Sequence, residues 1–276
     1  MRTLYITDLD GTLLNDNAEL SEFTVNTLNI LIEKGMEFTY ATARTKASAI
    51  RIMKRVNLNK PVVLMNGVAI YDAKGNKYLK VESIEKTAVE KIIKTLRYFK
   101  INGFMYVIEN NDLCTYYEAL DTDALINFYQ ERRNKYYKTF EQIDDFSSYI
   151  DSNIVYFTLT DTKEKLQPIF EVLSGESNIE IILYRDIYTE NLYFLEIFSG
   201  KASKEHAVNY IREKYNYDRI VGFGDNLNDI SLFKACDEKY AVKNAKEPLK
   251  LMADGIIGSN SQDGVAKFLL EKFNII

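Results

Sequence analysis

Apolar positions run along the chain in two alternating rhythms, and the alternation predicts an α/β architecture. Leu4-Tyr5-Ile6 is a short apolar run that reads as a strand and breaks at Asp8-Leu9-Asp10-Gly11-Thr12. From Ser21 the period changes to that of a helix, with Val25, Leu28, Leu31 and Ile32 on one face and Gly35 where a C-terminal cap falls. Met36 to Ala41 reads as a second strand ending at Thr42-Ala43-Arg44, and Ala47 to Val56 as a second helix. Pro61 to Met65 is continuously apolar and bounded by Asn66-Gly67, as expected of a strand buried on both faces. Strands separated by helices imply right-handed crossovers and a parallel sheet, whose ligands bind at the strands' C-terminal ends. Asp8, Thr42 and Asn66 all fall at such ends.

Beyond this point the texture alters. Val68 to Tyr71 and Lys77 to Val81 read as a hairpin. From residue 83 to residue 190 strands come in pairs (Phe104 to Ile108 with Leu113 to Tyr117) as well as between helices, which predicts an α+β domain inserted into the first. Its helices are expected around Val89 to Leu96, Thr122 to Glu131 and Lys163 to Leu173, with further strands at Ile154 to Thr160 and Ile179 to Tyr184. The alternating pattern is read as returning at Leu192 to Phe198, followed by a helix from Ser203 to Lys214 and a strand from Arg219 to Phe223. Tyr240 to Val242 and Gly255 to Ile257 read as the last strands, and Ser261 to Phe273 as the closing helix. The expected domains are therefore 1–82 with 191–276, and 83–190.

Composition narrows the partners. The chain has 276 residues, a formal net charge of −5 and 46% hydrophobic residues, enough for a substantial core. No cluster of Lys and Arg with interleaved aromatics marks a nucleic-acid footprint, so nucleic acid is not expected as a partner. The opening apolar run is too short for a signal-peptide core, and nowhere do 18 apolar residues run together, so no membrane association and a cytoplasmic location are expected. Cys114 and Cys236 lie far apart and form no Cys-x-x-Cys, which suits a reducing compartment and packing roles.

Several sites fail on spacing. Neither cysteine has an Arg six positions on, and one histidine, His206, excludes a two-histidine metal site. Gly222-Phe223-Gly224 begins a dinucleotide fingerprint but Leu227 occupies the third glycine's place, and Gly200-Lys201 lacks the rest of a phosphate-binding loop. Leu227 and Ile230 break the resemblance of Asp225 to Asp229 to a calcium loop. What remains is an acidic site without imidazole: Asp8 and Asp10 after the first strand, Asp225, Asn228 and Asp229 after a later one. Asp8 and Asp10, two apart at a strand end, are expected to point the same way, and like charges so close are best tolerated around a cation or a shared proton. Few, hard oxygen ligands suit Mg²⁺, which keeps waters for a phosphate to displace. The second cluster also reads as a helix N-terminus, where Asp and Asn are preferred caps.

In order along the chain, Asp8-Leu9-Asp10-Gly11-Thr12, Thr42, Lys204 within Ala202-Ser203-Lys204-Glu205, and Gly224-Asp225-Asn226-Leu227-Asn228-Asp229 match four motifs. On these the chain resembles the haloacid dehalogenase superfamily phosphatases, of the Cof-type group with a large inserted cap. The stretches Ala241 to Ala245 and Ser259 to Val265 fit the same resemblance. Two positions depart from it: Ala43 stands where Gly is frequent, and Gly200 lies four residues before Lys204, which makes Lys201 a rival for the phosphate-binding lysine.

The resemblance implies a Rossmann-like parallel-sheet core with an α+β cap that closes over the site and sets specificity. It implies Asp8 as nucleophile and Asp10 as general acid and base, with Mg²⁺ held by Asp8, Asp225 and the backbone carbonyl of Asp10. Asp229 would stand behind these ligands. The Thr42 hydroxyl, Lys204, Asn228 and the backbone N–H groups of Leu9 and Ala43 would cradle the phosphate. Arg44 would either meet the substrate or pair with an acidic neighbour. The implied activity is Mg²⁺-dependent hydrolysis of a small phosphorylated metabolite, a sugar phosphate by preference, through an aspartyl-phosphate, with no obligate protein partner. A phosphosugar mutase with the same nucleophile, and a catalytically silent phosphometabolite-binding regulator, are the alternatives.

Overall fold

The computed structural model describes residues 1–186, 189 and 191–274. In chain order, β1 (Thr3–Thr7) leads to α1 (Glu22–Glu33), β2 (Glu37–Tyr40), α2 (Lys46–Met53), β3 (Val62–Leu64), β4 (Ala69–Asp72) and β5 (Lys77–Val81). There follow α3 (Lys86–Phe99), β6 (Phe104–Glu109), β7 (Asp112–Tyr117), α4 (Asp123–Tyr136), β8 (Glu141–Gln142), β9 (Ile154–Asp161), α5 (Lys163–Leu173), β10 (Ile179–Arg185) and β11 (Tyr193–Ser199). The chain closes with α6 (Lys204–Tyr215), β12 (Arg219–Gly224), α7 (Asp229–Lys234), β13 (Glu238–Val242), α8 (Glu247–Lys250), β14 (Gly255–Ile257) and α9 (Gly264–Asn274). It divides into two compact units, Met1–Lys80 with Ser203–Ile276, and Val81–Ala202.

In the first unit local signals and packing agree. The Ser21 hydroxyl accepts the N–H of Thr24 at 2.9 Å and starts α1, which buries Val25, Leu28, Leu31 and Ile32. The strands form a parallel sheet in the order β14-β13-β12-β1-β2. A single parallel bridge from Ala41 to Val63 brings β3 to the free edge of β2, after which β3 pairs antiparallel with β4. The 61–65 run is thus buried as expected, but it belongs to a mixed arrangement. From β1 the chain winds outward through β2 and β3, and from β12 it winds the opposite way through β13 and β14. A sheet that reverses direction in this manner opens a crevice at the C-terminal ends of the two central strands. Asp8 follows one of them and Asp225 the other.

The second unit is a six-stranded sheet in the order β10-β11-β9-β6-β7-β8, antiparallel except between β7 and β8. Period-2 alternation splits its side chains between faces. Met105, Phe157, Leu159, Leu195 and Ile197 pack with Ile92, Leu96, Leu166 and Ile169 from α3 and α5. Phe104 points to the other face, where it stacks on Phe128 of α4 with ring centroids 4.9 Å apart.

One expected boundary is corrected. The segment from 191 onward does not return to the first unit, because β11 pairs antiparallel with both β9 and β10 and lies inside the second sheet. The return comes at Ser203, and Leu195 and Ile197 lie in the hydrophobic core of the second unit. The expected end at Glu190 lies outside the described residues. Among the described residues no helix is long and apolar enough to cross a membrane.

Strand β12 passes close to α7's end. A Cβ on Gly222 would sit 2.3 Å from the Cys236 Sγ but 3.3 Å from its Cβ. Gly222→Ala is expected to lower unfolding free energy by about 1–3 kcal/mol through overpacking. Adding Cys236→Ala removes the obstructing sulfur and should recover most of that loss in denaturant titrations.

Candidate active site

Strand β1 ends at Thr7, and the chain turns through Leu9–Leu13 with Gly11 at φ 76°. A side chain at Gly11 would be strained there and would meet the Asp225 carboxylate at 2.5 Å. This turn separates the two aspartates that regular strand alternation would keep on one side. Asp8 is 5% exposed and faces inward, whereas Asp10 is exposed at the rim. The expectation of a closely shared carboxylate site is therefore corrected: the strand stops before Asp10, and Asp8 meets Lys204 while Asp10 meets Arg44.

Asp8 meets Lys204. The Lys204 Nζ donates to Asp8 Oδ1 at 2.6 Å and to Asp229 Oδ1 at 2.7 Å, with no exposed surface on the lysine side chain. Lys204 opens α6, whose start is set by Ser203 accepting the N–H of His206 at 3.0 Å. Asp229 is fully buried, and its Oδ2 accepts the N–H groups of Asp225 at 2.9 Å and Asn226 at 3.1 Å, closing the loop after β12. Asp225 in turn accepts from Thr12 Oγ1 at 2.8 Å. Carboxylate oxygens of Asp8, Asp225 and Asp229 all lie within 4.8 Å of one another.

This cluster carries more negative charge than it neutralises. Burial above all, together with Asp229 and Asp225, pushes Asp8 well above the usual carboxylate range, although Lys204 pulls it back. Burial and the Asp229 charge raise Asp225 to about 6. Burial opposes the charge on Lys204, but Asp229 and Asp8 outweigh it and hold the ammonium protonated. Fully ionised, three carboxylates beside one ammonium would carry a surplus of two negative charges, and all the donors are hard oxygens. That donor set fits a divalent cation of the Mg²⁺ type.

The remaining predicted residues are distributed around the cluster. The Arg44 side chain reaches Asp10, an acidic neighbour, through two charge-assisted bonds of 2.6 Å. Thr42 is buried at the end of β2, and its hydroxyl accepts the N–H of Arg44 at 3.1 Å, which caps the turn. Leu9 is buried, while Ala43 is exposed beside Thr42. Asn228 precedes α7 without capping it and donates from Nδ2 to Asn66 Oδ1 at 3.3 Å. Lys201, the rival lysine, pairs instead with Glu85 at 2.8 Å in the second unit.

Some contributors carry weak sequence signals. Thr12 lies in the first motif without an assigned role, and Asn66 follows a strand. Asn244 Nδ2 donates to the Gly11 carbonyl at 2.8 Å, and Asn260 supports it by donating its N–H to Asn244 Oδ1 at 3.0 Å. Both asparagines fall in the C-terminal stretches that resemble the phosphatase group, and they hold the first loop in shape from the far end of the chain.

The doubly wound sheet thus carries an aspartate cluster and a buried lysine at its reversal point. The chain belongs to the haloacid dehalogenase-like hydrolase family, whose profile matches residues 5–269. It is 26% identical over 99% of its length to a putative phosphatase of Buchnera aphidicola subsp. Schizaphis graminum, covering 96% of that protein. To a pyridoxal phosphate phosphatase of Escherichia coli it is 27% identical, with 95% of each chain covered. A crystal structure from Thermotoga maritima superposes with a TM-score of 0.81 at 27% identity, covering 99% of this chain and 97% of that one.

Removing the ammonium should be costly. Lys204→Met strands two buried carboxylates and is expected to reduce the stability of the metal-free protein by about 3–5 kcal/mol in denaturant unfolding. Lys201→Met, whose pair is solvent-exposed, should leave the unfolding midpoint unmoved.

Proposed function

We propose that the protein is a Mg²⁺-dependent phosphomonoesterase for small phosphorylated metabolites, working through an aspartyl-phosphate on Asp8. The observation that carries this reading is the buried Asp8 carboxylate, fixed by Lys204 at the crevice and grouped with Asp225 and Asp229. A carboxylate so placed is oriented for attack while its neighbours supply the electrostatics that phosphoryl transfer requires.

In the first step an Asp8 oxygen bonds to phosphorus as the bond from phosphorus to the leaving oxygen breaks. Asp10, exposed at the rim, delivers its proton to that oxygen, and the alcohol departs. In the second step Asp10 takes a proton from water, the water oxygen attacks the phosphorus of the aspartyl-phosphate, and the bond to Asp8 breaks to release inorganic phosphate. Arg44 holds the Asp10 carboxylate at the rim through its two charge-assisted bonds. Lys204, the Thr42 hydroxyl, the Asn228 amide and the N–H groups of Leu9 and Ala43 bind the phosphoryl oxygens. Asp8, Asp225 and the Asp10 carbonyl, with Asp229 behind them, would hold Mg²⁺, which would supply charge neutralisation for the approach of an anionic nucleophile to an anionic ester.

Sugar phosphates are the favoured substrates. Pyridoxal phosphate, named for the Escherichia coli relative, belongs beside them in any assay.

The test is phosphate release from a panel of sugar, nucleotide and cofactor phosphates, with Mg²⁺ or with EDTA. Release should depend on the metal, and Asp8→Asn should lower turnover by several powers of ten. A variant keeping more than about a tenth of the rate, a barrier change of only about 1.4 kcal/mol, would remove Asp8 as nucleophile. Formation of a phosphate isomer in place of free phosphate would indicate a mutase.

A further inference from the structure

The backbone after β3 is held in an unusual shape. Met65, Asn66 and Gly67 have φ of 52°, 55° and 100°, three consecutive left-handed residues. This region disfavours a side chain such as Met, tolerates Asn and is open to Gly. A Cβ on Gly67 would lie 2.1 Å from the Ser203 carbonyl oxygen, so the turn presses directly on the start of the Lys204 helix. The N–H of Met65 donates to the Arg44 carbonyl at 3.1 Å, and the N–H of Asn66 to the Thr42 carbonyl at 3.0 Å. The turn is therefore clamped between two loops that carry predicted phosphate contacts. Strain of this kind persists only where surrounding structure over-determines it, and it concentrates at functional sites.

The consequence is the placement of one side chain. Asn66 is 9% exposed, and its Oδ1 accepts from Asn228 Nδ2 at 3.3 Å. A carboxamide nitrogen has two N–H groups. With one committed to Asn66, the rotation of the Asn228 amide is set and the second N–H is left for a ligand oxygen.

We propose that Asn66 is a positioning residue of the phosphatase site, holding the Asn228 carboxamide in the orientation that donates to the substrate phosphate. This rests on the reading of Asn228 as a phosphate contact. The competing account is that Asn66 serves the left-handed turn alone, and glycine separates the two. Asn66→Gly suits the same backbone while deleting the amide.

The experiment compares wild type, Asn66→Gly, Asn228→Ala and the double variant in three measurements: thermal unfolding, steady-state phosphate release, and calorimetric affinity for inorganic phosphate with Mg²⁺ present. Asn66→Gly should keep the wild-type melting temperature and lose on the order of tenfold in kcat/KM and in phosphate affinity, the effect of one misdirected hydrogen bond. The double variant should be no worse than Asn228→Ala, because Asn66 acts only through that residue. Activity and affinity within twofold of wild type in Asn66→Gly would overturn the proposal, as would a loss that multiplies with that of Asn228→Ala. Absence of phosphate release by the wild type would count against the proposed function instead. The non-additive pattern in phosphate affinity would then still support the coupling of Asn66 to Asn228, and an additive pattern would still overturn it.

Discussion

The Lys204 ammonium lies between the Asp8 and Asp229 carboxylates, at 2.6 and 2.7 Å, inside the protein. Taking each such charge out of water costs several kcal/mol, and only close, well-oriented partners offset it. Three segments must therefore meet with little freedom: the end of β1, the first turn of α6 and the loop between β12 and α7. The parallel sheet supplies that alignment, since β1 and β12 are paired from Thr3 with Arg219 to Thr7 with Phe223 and end side by side. Asp229 completes it by accepting the Asp225 and Asn226 N–H groups, which ties the loop to the buried cluster.

A site built this way buries some of its charges and leaves others at the surface. Asp8, Lys204, Thr42 and Asp229 are all buried. Asp10 stands in solvent on the Arg44 side chain. The division suits the roles proposed for Asp8 as nucleophile and Asp10 as proton carrier. A nucleophile gains from a fixed line of attack, whereas a proton carrier has to serve a leaving group and then a water. The turn that begins at Leu9, between the two aspartates, produces the division and sends them to different surroundings.

Much of the fold was legible because its signals are local. Apolar periodicity, Ser21 as a cap and the Asn66-Gly67 break report on backbone geometry within a few residues, and the elements they predicted are present. Strand β11 shows where such reading fails. Leu195 and Ile197 look like any buried strand, and only the charged Glu196 between them hints at a two-faced antiparallel sheet. Its partners, β9 and β10, are chosen by packing that no short window contains. The second carboxylate misled for a related reason: alternation predicts side-chain direction only while the strand lasts, and β1 ends three residues before Asp10.

The sequence by itself determined the alternation of strands and helices, the presence of an inserted unit and the acidic residues at strand ends. These follow from spacing and residue type, which act over one or two turns of chain. Tertiary structure alone decided which charges meet. Lys204 and Lys201 stand three residues apart, yet one is buried against Asp8, 196 residues away, and the other pairs on the surface with Glu85. Arg44 reaches Asp10, and Asn66 reaches Asn228 across 162 residues. Electrostatic and hydrogen-bond energies depend on separation in space and on the exclusion of water. Both are properties of the folded packing, which no local stretch of sequence encodes.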